Sequence, residues 1–362
     1  MNALLARFPI LAALAVAVLL AGCAVAPPAT DETAAGRPTD ALTRLTLDPG
    51  TVDAILSIDP DHVTDAEIRG PLSRAPAPRV MLLHGGIYPV HLVMVSFGRF
   101  LTEMGYPESA IRDPGNRDWS YSPYEPADRL TGVLAWHYEH DGMRPMLIGH
   151  SQGGMQAVKI LDELAGQFGP DLRVFNPVSG DYEERTTITD PLTGRSRPVV
   201  GLSASYASVV GAGGAAFLLP NQWDMVGKLR SIPDTVDDFT GYFIAVDLIA
   251  WSFPGINDQE RFRPMDKARV RNIELPGSYS HVLLPAVREL GRDPDTRAAI
   301  NAYAPGSTGG VAADTVTGAA WAADVWYSIK QHWVRELQTL LRAARARRAG
   351  MPVAAPPVAR MQ

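Results

Sequence analysis

One serine in this sequence sits where nucleophilic chemistry is possible. Residues 144–155 read Arg-Pro-Met-Leu-Ile-Gly-His-Ser-Gln-Gly-Gly-Met: the apolar run Met146-Leu147-Ile148 stops abruptly in Gly149-His150-Ser151-Gln152-Gly153, and helix-forming residues follow from Met155. A serine hydroxyl at its free pKa is a weak nucleophile. It needs a general base within hydrogen-bond reach and backbone N–H groups for the oxyanion it generates. A strand that turns sharply into a helix meets the second need, because the first N–H groups of the helix have no intrahelical acceptor and carry the positive end of its dipole. Gly149 and Gly153 leave room where a side chain would collide with such a turn. Ser151 is the candidate nucleophile. Metal and nucleotide chemistry fare worse. His137-x-x-His140 lacks a third ligand and does not match His-Glu-x-x-His, so no zinc site is expected, and the glycines of residues 201–220 do not have the Gly-x-Gly-x-x-Gly spacing of a nucleotide loop. No cofactor is expected.

The elements that must position Ser151 follow from hydrophobic period. Arg79 to Leu83 reads as a central parallel strand ending in His84-Gly85-Gly86, Val90 to Met104 as a helix closing at Gly105, and Glu125 to Tyr138 as a second helix with Pro126 in its first turn. The nucleophile strand and its helix come next, then a β-rich run at Leu172 to Val178. Gly201 to Pro220 is dominated by small residues and reads as an insertion over the sheet edge, extending to about residue 238. Strands return at Thr240 to Val246 and Val270 to Leu275. A long helix at Ala319 to Ala346 carries Trp321, Val325, Ile329, Trp333 and Leu337 on one stripe, as expected of a helix packed on a sheet. Strands alternating with helices predict an α/β fold with a doubly wound, mostly parallel sheet and helices on both faces.

With these pieces in order, residues 79–288 resemble an α/β-hydrolase of the lipase and esterase type. The resemblance is poor at both ends and across residues 201–238. It implies a serine hydrolase acting on carboxylic esters through an acyl-enzyme, with the chain order nucleophile, acid, histidine. His281, in Leu275-Pro-Gly-Ser-Tyr-Ser-His just beyond the last strand and before an apolar helix expected from Val282, is the base. The acid it implies is Asp247, which ends the strand Tyr242-Phe-Ile-Ala-Val. Asp224, in Asn-Gln-Trp-Asp-Met-Val, competes because it also precedes an apolar pair, although it follows no convincing strand, and Asp258 is a third candidate. The oxyanion donors implied are the N–H of Gln152 and that of Gly86 or Ile87. Thioester or amide cleavage and acyl transfer are compatible with the same triad, and so is a non-catalytic binding scaffold. Phe217-Leu218-Leu219 and Trp223 within the insertion are candidates for a lid or acyl pocket favouring lipid-like substrates.

The chain is long enough, at 362 residues, for one large domain, and 46% hydrophobic with 20% charged residues is ordinary globular composition. Its first residues differ. A single Arg7 precedes an apolar, Ala-rich run from Phe8 to Leu20, too short for a comfortable membrane span, and Leu20-Ala21-Gly22-Cys23 follows. This tetrapeptide resembles the lipobox of bacterial lipoproteins, which implies removal of residues 1–22 and acylation at Cys23, the one cysteine of the chain. Several acyl chains, each CH₂ worth about 0.8 kcal/mol, hold a protein on a membrane without a spanning helix. Ala24 after the cysteine favours, by the same resemblance, the outer membrane facing the periplasm. Residues 24–44, rich in Ala, Pro and Thr, read as a tether to a domain starting near Leu45. The net charge is −6, and loss of Arg7 with the signal would leave 32 basic against 39 acidic residues. That balance argues against nucleic acid as a partner. Only Arg342, Arg345, Arg347 and Arg348 cluster.

Overall fold

A computed structural model of the chain describes residues 41–253, 260–306 and 318–353. Five strands form one wholly parallel sheet: β1 (Val80–Leu83), β2 (Met146–His150), β3 (Ala204–Val210), β4 (Val236–Ile244) and β5 (Arg269–Leu275). Their spatial order is their order in the chain. Parallel neighbours need crossovers, and four long helices matter for the site: α1 (Tyr88–Glu103), α2 (Ala127–Asp141), α3 (Gln152–Leu164) and α4 (Ala319–Arg348).

The period of two along each strand divides the apolar side chains between two cores. Val80 and Leu82 of β1, Met146 and Ile148 of β2, and Tyr206 of β3 pack with Phe97 and Phe100 of α1 and the tryptophans of α4. Met81, Leu83, Leu147, Ala207 and Phe239 face the other way, onto Leu130 and Leu134 of α2 and Val158 and Leu161 of α3. β1 and β2 are buried along their whole length, which is why they read as continuous apolar runs rather than as alternation. The stripe expected on α4 is wholly buried, from Trp321 through Val325, Ile329 and Trp333 to Leu337. Glu336 of that helix and Asp237 of β4 both bind the guanidinium of Arg144, at 2.6 and 2.7 Å, which pins the start of β2 from two sides.

Several expectations need correction. β1 is not central: it ends the five-stranded order, and among the described residues its outer edge meets only a single parallel bridge from Leu83 to Tyr121. The run at Leu172 to Val178 contributes no strand to the sheet. Phe175–Asn176 instead pairs antiparallel with Asp181–Tyr182 in a separate two-stranded ribbon. The largest error concerns residues 201–238, where Ala204–Val210 is no insertion but β3, the middle strand, buried at every position. α3 rides close over one face of it: a Cβ on Gly154 would lie 3.2 Å from Val209 Cβ and 2.9 Å from Ala212 Cβ. What remains outside the sheet is residues 211–235, including 3₁₀ turns at Gly214–Leu218 and Pro220–Met225. No helix begins at Val282, for residues 281–285 form turns and the next helix is Arg288–Arg292.

At the N-terminal side the fold begins earlier than Leu45. Ala41–Arg44 is a short helix whose Ala41 and Leu42 are buried, so the end of the expected tether belongs to the domain. The signal segment 1–22, Cys23 and the rest of the tether lie outside the described residues, as does Asp258. Among the described residues no helix is long and apolar enough to cross a membrane. The arginines closing α4 are exposed but engaged in part: Arg345 pairs with Asp53 at 2.5 Å, Arg342 donates to Gln338 at 3.0 Å and Arg348 to the Leu45 carbonyl at 3.3 Å.

Candidate active site

Ser151 stands at the junction of β2 and α3 with φ 57° and ψ −127°, one of three non-glycine residues with positive φ among the described residues. That conformation costs on the order of 1–3 kcal/mol and persists only where neighbours enforce it. They do so by contact and by hydrogen bonding. Ser151 N–H donates to the Val210 carbonyl at the end of β3 (2.8 Å), and the Ser151 carbonyl accepts from Gly154 N–H (2.9 Å). Space is the other constraint. A Cβ on Gly149 would lie 2.5 Å from Gly153 O, and one on Gly153 would lie 2.2 Å from Leu83 O and 2.5 Å from His84 O, all backbone atoms. Both glycines flanking the serine are therefore required by close approach of α3 to β1 and β2.

The candidate base and acid follow the ends of β5 and β4. His281 Nε2 lies 2.9 Å from Ser151 Oγ, and His281 Nδ1 lies 2.6 Å from Asp247 Oδ2. His281 is 8% exposed and Asp247 4%, so both side chains lie in a largely water-excluded setting. Asp247 is fixed by its own loop. It exchanges backbone hydrogen bonds with Ser252, both at 2.9 Å, and its Oδ1 accepts from the N–H groups of Ile249 (2.9 Å) and Ala250 (3.0 Å). Burial pushes the Asp247 carboxyl pKa up, but the bond to His281, its charge and those two N–H groups outweigh burial and hold it below the ordinary 3.8. Asp224 is elsewhere, paired with Lys159 on the outer face of α3, so of the two described acid candidates only Asp247 reaches His281.

The two stretches expected to hold an oxyanion also meet at the serine. A Cβ on Gly85 would lie 2.9 Å from Ser151 Cβ, and one on Gly86 would lie 2.1 Å from Gln152 Oε1 and 2.9 Å from the Tyr124 hydroxyl. Gln152 is the first residue of α3, so its N–H belongs to the turn that has no intrahelical acceptor. Tyr124 donates its hydroxyl to the Gly86 carbonyl at 2.9 Å. The Gly86 C=O and the Ile87 N–H share one planar trans peptide and point oppositely, so this bond sets the direction of the Ile87 N–H. Asn221, from the 3₁₀ turns after β3, bridges the same corner: its amide donates to Pro123 O at 3.1 Å, and its Oδ1 accepts from Gln152 Nε2 at 3.4 Å. No sequence signal marks Tyr124 or Asn221, since each acts across the fold from a loop.

The remaining histidines have other occupations. His84 Nδ1 meets Ser120 Oγ at 2.9 Å and its ring stacks edge-on against His91. Burial lowers the His84 pKa to about 3 and that of His137 to about 4. His137 faces Asp141 at 3.4 Å while His140 stacks on Trp136, so each member of the His137-x-x-His140 pair is engaged within α2. No group of three or more potential metal ligands occurs among the described residues. The segments that carry the site also carry exposed apolar side chains. Tyr88 and Leu92 follow the Gly85-Gly86 loop, Leu218 and Trp223 lie on the 3₁₀ turns beside Asn221, Leu248 and Trp251 flank the acid, and Leu283 follows the base; all are exposed.

Compared with protein-family models and with curated proteins, the sequence matches none. The geometry of the site therefore carries the functional reading.

Proposed function

We propose that the protein is a serine hydrolase that cleaves carboxylic esters with an apolar acyl or alcohol part through an acyl-enzyme, on an α/β-hydrolase fold. The single observation that supports it most is the continuous chain Asp247–His281–Ser151 at 2.6 and 2.9 Å, ending on a serine held at positive φ. In this reading Ser151 Oγ attacks the ester carbonyl carbon while His281 Nε2 takes the hydroxyl proton. The negative oxygen of the tetrahedral intermediate is received by the N–H of Gln152 and by that of Gly86 or Ile87. The intermediate collapses as His281 returns its proton to the departing alkoxide, and Asp247 keeps the imidazole in the tautomer with its proton on Nδ1 and stabilises the cation formed in between. Water then repeats the cycle with His281 as base, releasing the acid and free Ser151.

The exposed apolar residues on the segments that carry the site favour a substrate with hydrocarbon to bury, each fully buried aliphatic side chain being worth about 1.5–3 kcal/mol. Labelling of the purified domain with a fluorophosphonate, followed by mass spectrometry, tests the reading. The expected adduct is on Ser151 and absent when excess nitrophenyl ester competes; well-folded protein with no adduct would sink it.

The cellular address is part of the same proposal: cleavage before Cys23 and acylation there would hold the enzyme on the bacterial envelope, in the outer membrane facing the periplasm. Full-length protein expressed in a bacterium is expected to partition into the detergent phase, and Cys23→Ser into the aqueous phase. Equal partitioning of the two would end the anchoring proposal without touching the hydrolase.

A further inference from the structure

His150, one residue before the nucleophile, has no part in the proton relay, yet the structure ties it to the base. Its Nε2 lies 2.6 Å from the backbone carbonyl oxygen of His281, and the two imidazole rings are 5.2 Å apart. A carbonyl can only accept, so Nε2 carries the proton and donates it. The other nitrogen, Nδ1, is buried and has no partner among the described residues. With the residue 1% exposed, a second proton there would be a buried cation with no acceptor, beside a ring that must itself become cationic during turnover. Burial and the neighbouring His281 push the His150 pKa down to about 3, in keeping with a neutral ring.

The bond falls where the base needs it. His281 stands in neither strand nor helix but in turns after β5. Nearby backbone bonds, Tyr279 N–H to Pro276 O and Leu284 N–H to Ser280 O, are local to that segment. The bond from His150 instead runs to the rigid end of β2, and because His150 is peptide-bonded to Ser151 it closes a ring: Ser151 to His150, His150 Nε2–H to His281 O, His281 Nε2 to Ser151 Oγ. The imidazole also needs glycine at residue 211: a Cβ there would lie 2.7 Å from His281 Cε1, in space that the ring occupies.

We propose that His150 is a positioning residue for the hydrolase, a neutral donor that holds the His281 backbone at the distance from Ser151 that proton transfer requires. This inference rests on the hydrolase reading, and its test separates the two. His150→Phe keeps a ring and removes the donor; His150→Gln places a neutral N–H close to the Nε2 position. On nitrophenyl esters, His150→Phe is expected to lower kcat by about 10- to 50-fold with KM changed less than about twofold, the size of effect that loss of one buried hydrogen bond allows. His150→Gln is expected to regain most of that loss and to label with fluorophosphonate faster than His150→Phe. Folded His150→Phe with wild-type kcat, or His150→Gln as impaired as His150→Phe, overturns the positioning role and leaves the hydrolase standing. Wild type that neither turns over nor labels removes both. Should His150→Phe fail to fold, the long-range ¹H–¹⁵N spectrum of the wild type decides: the Nε2–H tautomer is expected from pH 5 to 9, and an Nδ1–H tautomer or an imidazolium overturns the proposal.

Discussion

Ser151→Ala is expected to lower kcat for nitrophenyl esters by on the order of 10⁶-fold, the scale seen when the nucleophile of a comparable triad is removed. The residual rate would come from oxyanion donors and substrate binding alone. The same position makes a stability prediction of opposite sign. With φ 57° and ψ −127°, Ser151 occupies a region that a side chain disfavours, and the surrounding glycines and the bond to Val210 O hold it there. Ser151→Gly removes the Cβ penalty while keeping every backbone hydrogen bond. We therefore expect Ser151→Gly to be as inactive as Ser151→Ala and more stable than Ser151→Ala by about 1 kcal/mol, read by chemical denaturation. Retained turnover in either variant would remove Ser151 from the mechanism. Equal stability of the two would show that the turn carries no strain.

Asp247→Asn is expected to lower kcat by about 10⁴-fold with KM little changed, and the hydrogen-bond inventory says why. Oδ1 accepts two N–H groups, from Ile249 and Ala250, while Oδ2 faces His281 Nδ1. An asparagine amide can satisfy Ile249 and Ala250 only with its oxygen, which turns its NH₂ toward the imidazole. Nδ1 must then be bare and Nε2 protonated, so the nitrogen facing Ser151 cannot take a proton. Glutamine or alanine would disturb the loop as well, which makes asparagine the informative change. Stability follows a definite pH course. The Asp247 pKa is lower in the folded chain than the ordinary 3.8, so the carboxylate stabilises the fold above that value and loses its contribution as pH falls through the depressed pKa. The difference in stability between wild type and Asp247→Asn is thus expected to be constant near neutrality and to shrink below about pH 4. A gap that widens on acidification would contradict the assignment of the depressed pKa to Asp247.

The parts of the molecule that the sequence describes well are those in which one local pattern has one physical solution. The Met146-Leu147-Ile148 run followed by Gly-His-Ser-Gln-Gly can end a buried parallel strand and start a helix only by a turn tight enough to need glycine on both sides of Ser151. The stripe of α4 has helical spacing over its whole length. Its large side chains leave no stable alternative to burial. β3 escaped for the converse reason. Ala204, Ser205, Ala207 and Ser208 carry little β signal of their own, and the strand is buried between α3 on one face and α4 on the other, which no window of neighbouring residues contains. The misplaced run at Leu172 to Val178 has strong β composition but pairs with a local partner outside the sheet. β1 lies at the end of the strand order because pairing order is a property of the assembled sheet.

The same division runs through the site. Ser151, His281 and Asp247 are legible as candidates because the chain order and the strand ends restrict them, but only tertiary contact brings Asp247 rather than Asp224 to His281. Asp224 reaches Lys159 on the far side of α3, whereas the Asp247–Ser252 bridge aims Asp247 at His281. Tyr124 on the Gly86 carbonyl, Asn221 beside Gln152 and His150 on the His281 carbonyl are separated from their partners by 38, 69 and 131 residues. By itself the sequence determined an alternating α/β chain with Ser151 at a strand-to-helix turn, because those depend on neighbours in the chain. Strand order, the acid and the hydrogen bonds that hold the base and the oxyanion loop were decided only by the tertiary structure, because each depends on how distant segments approach one another.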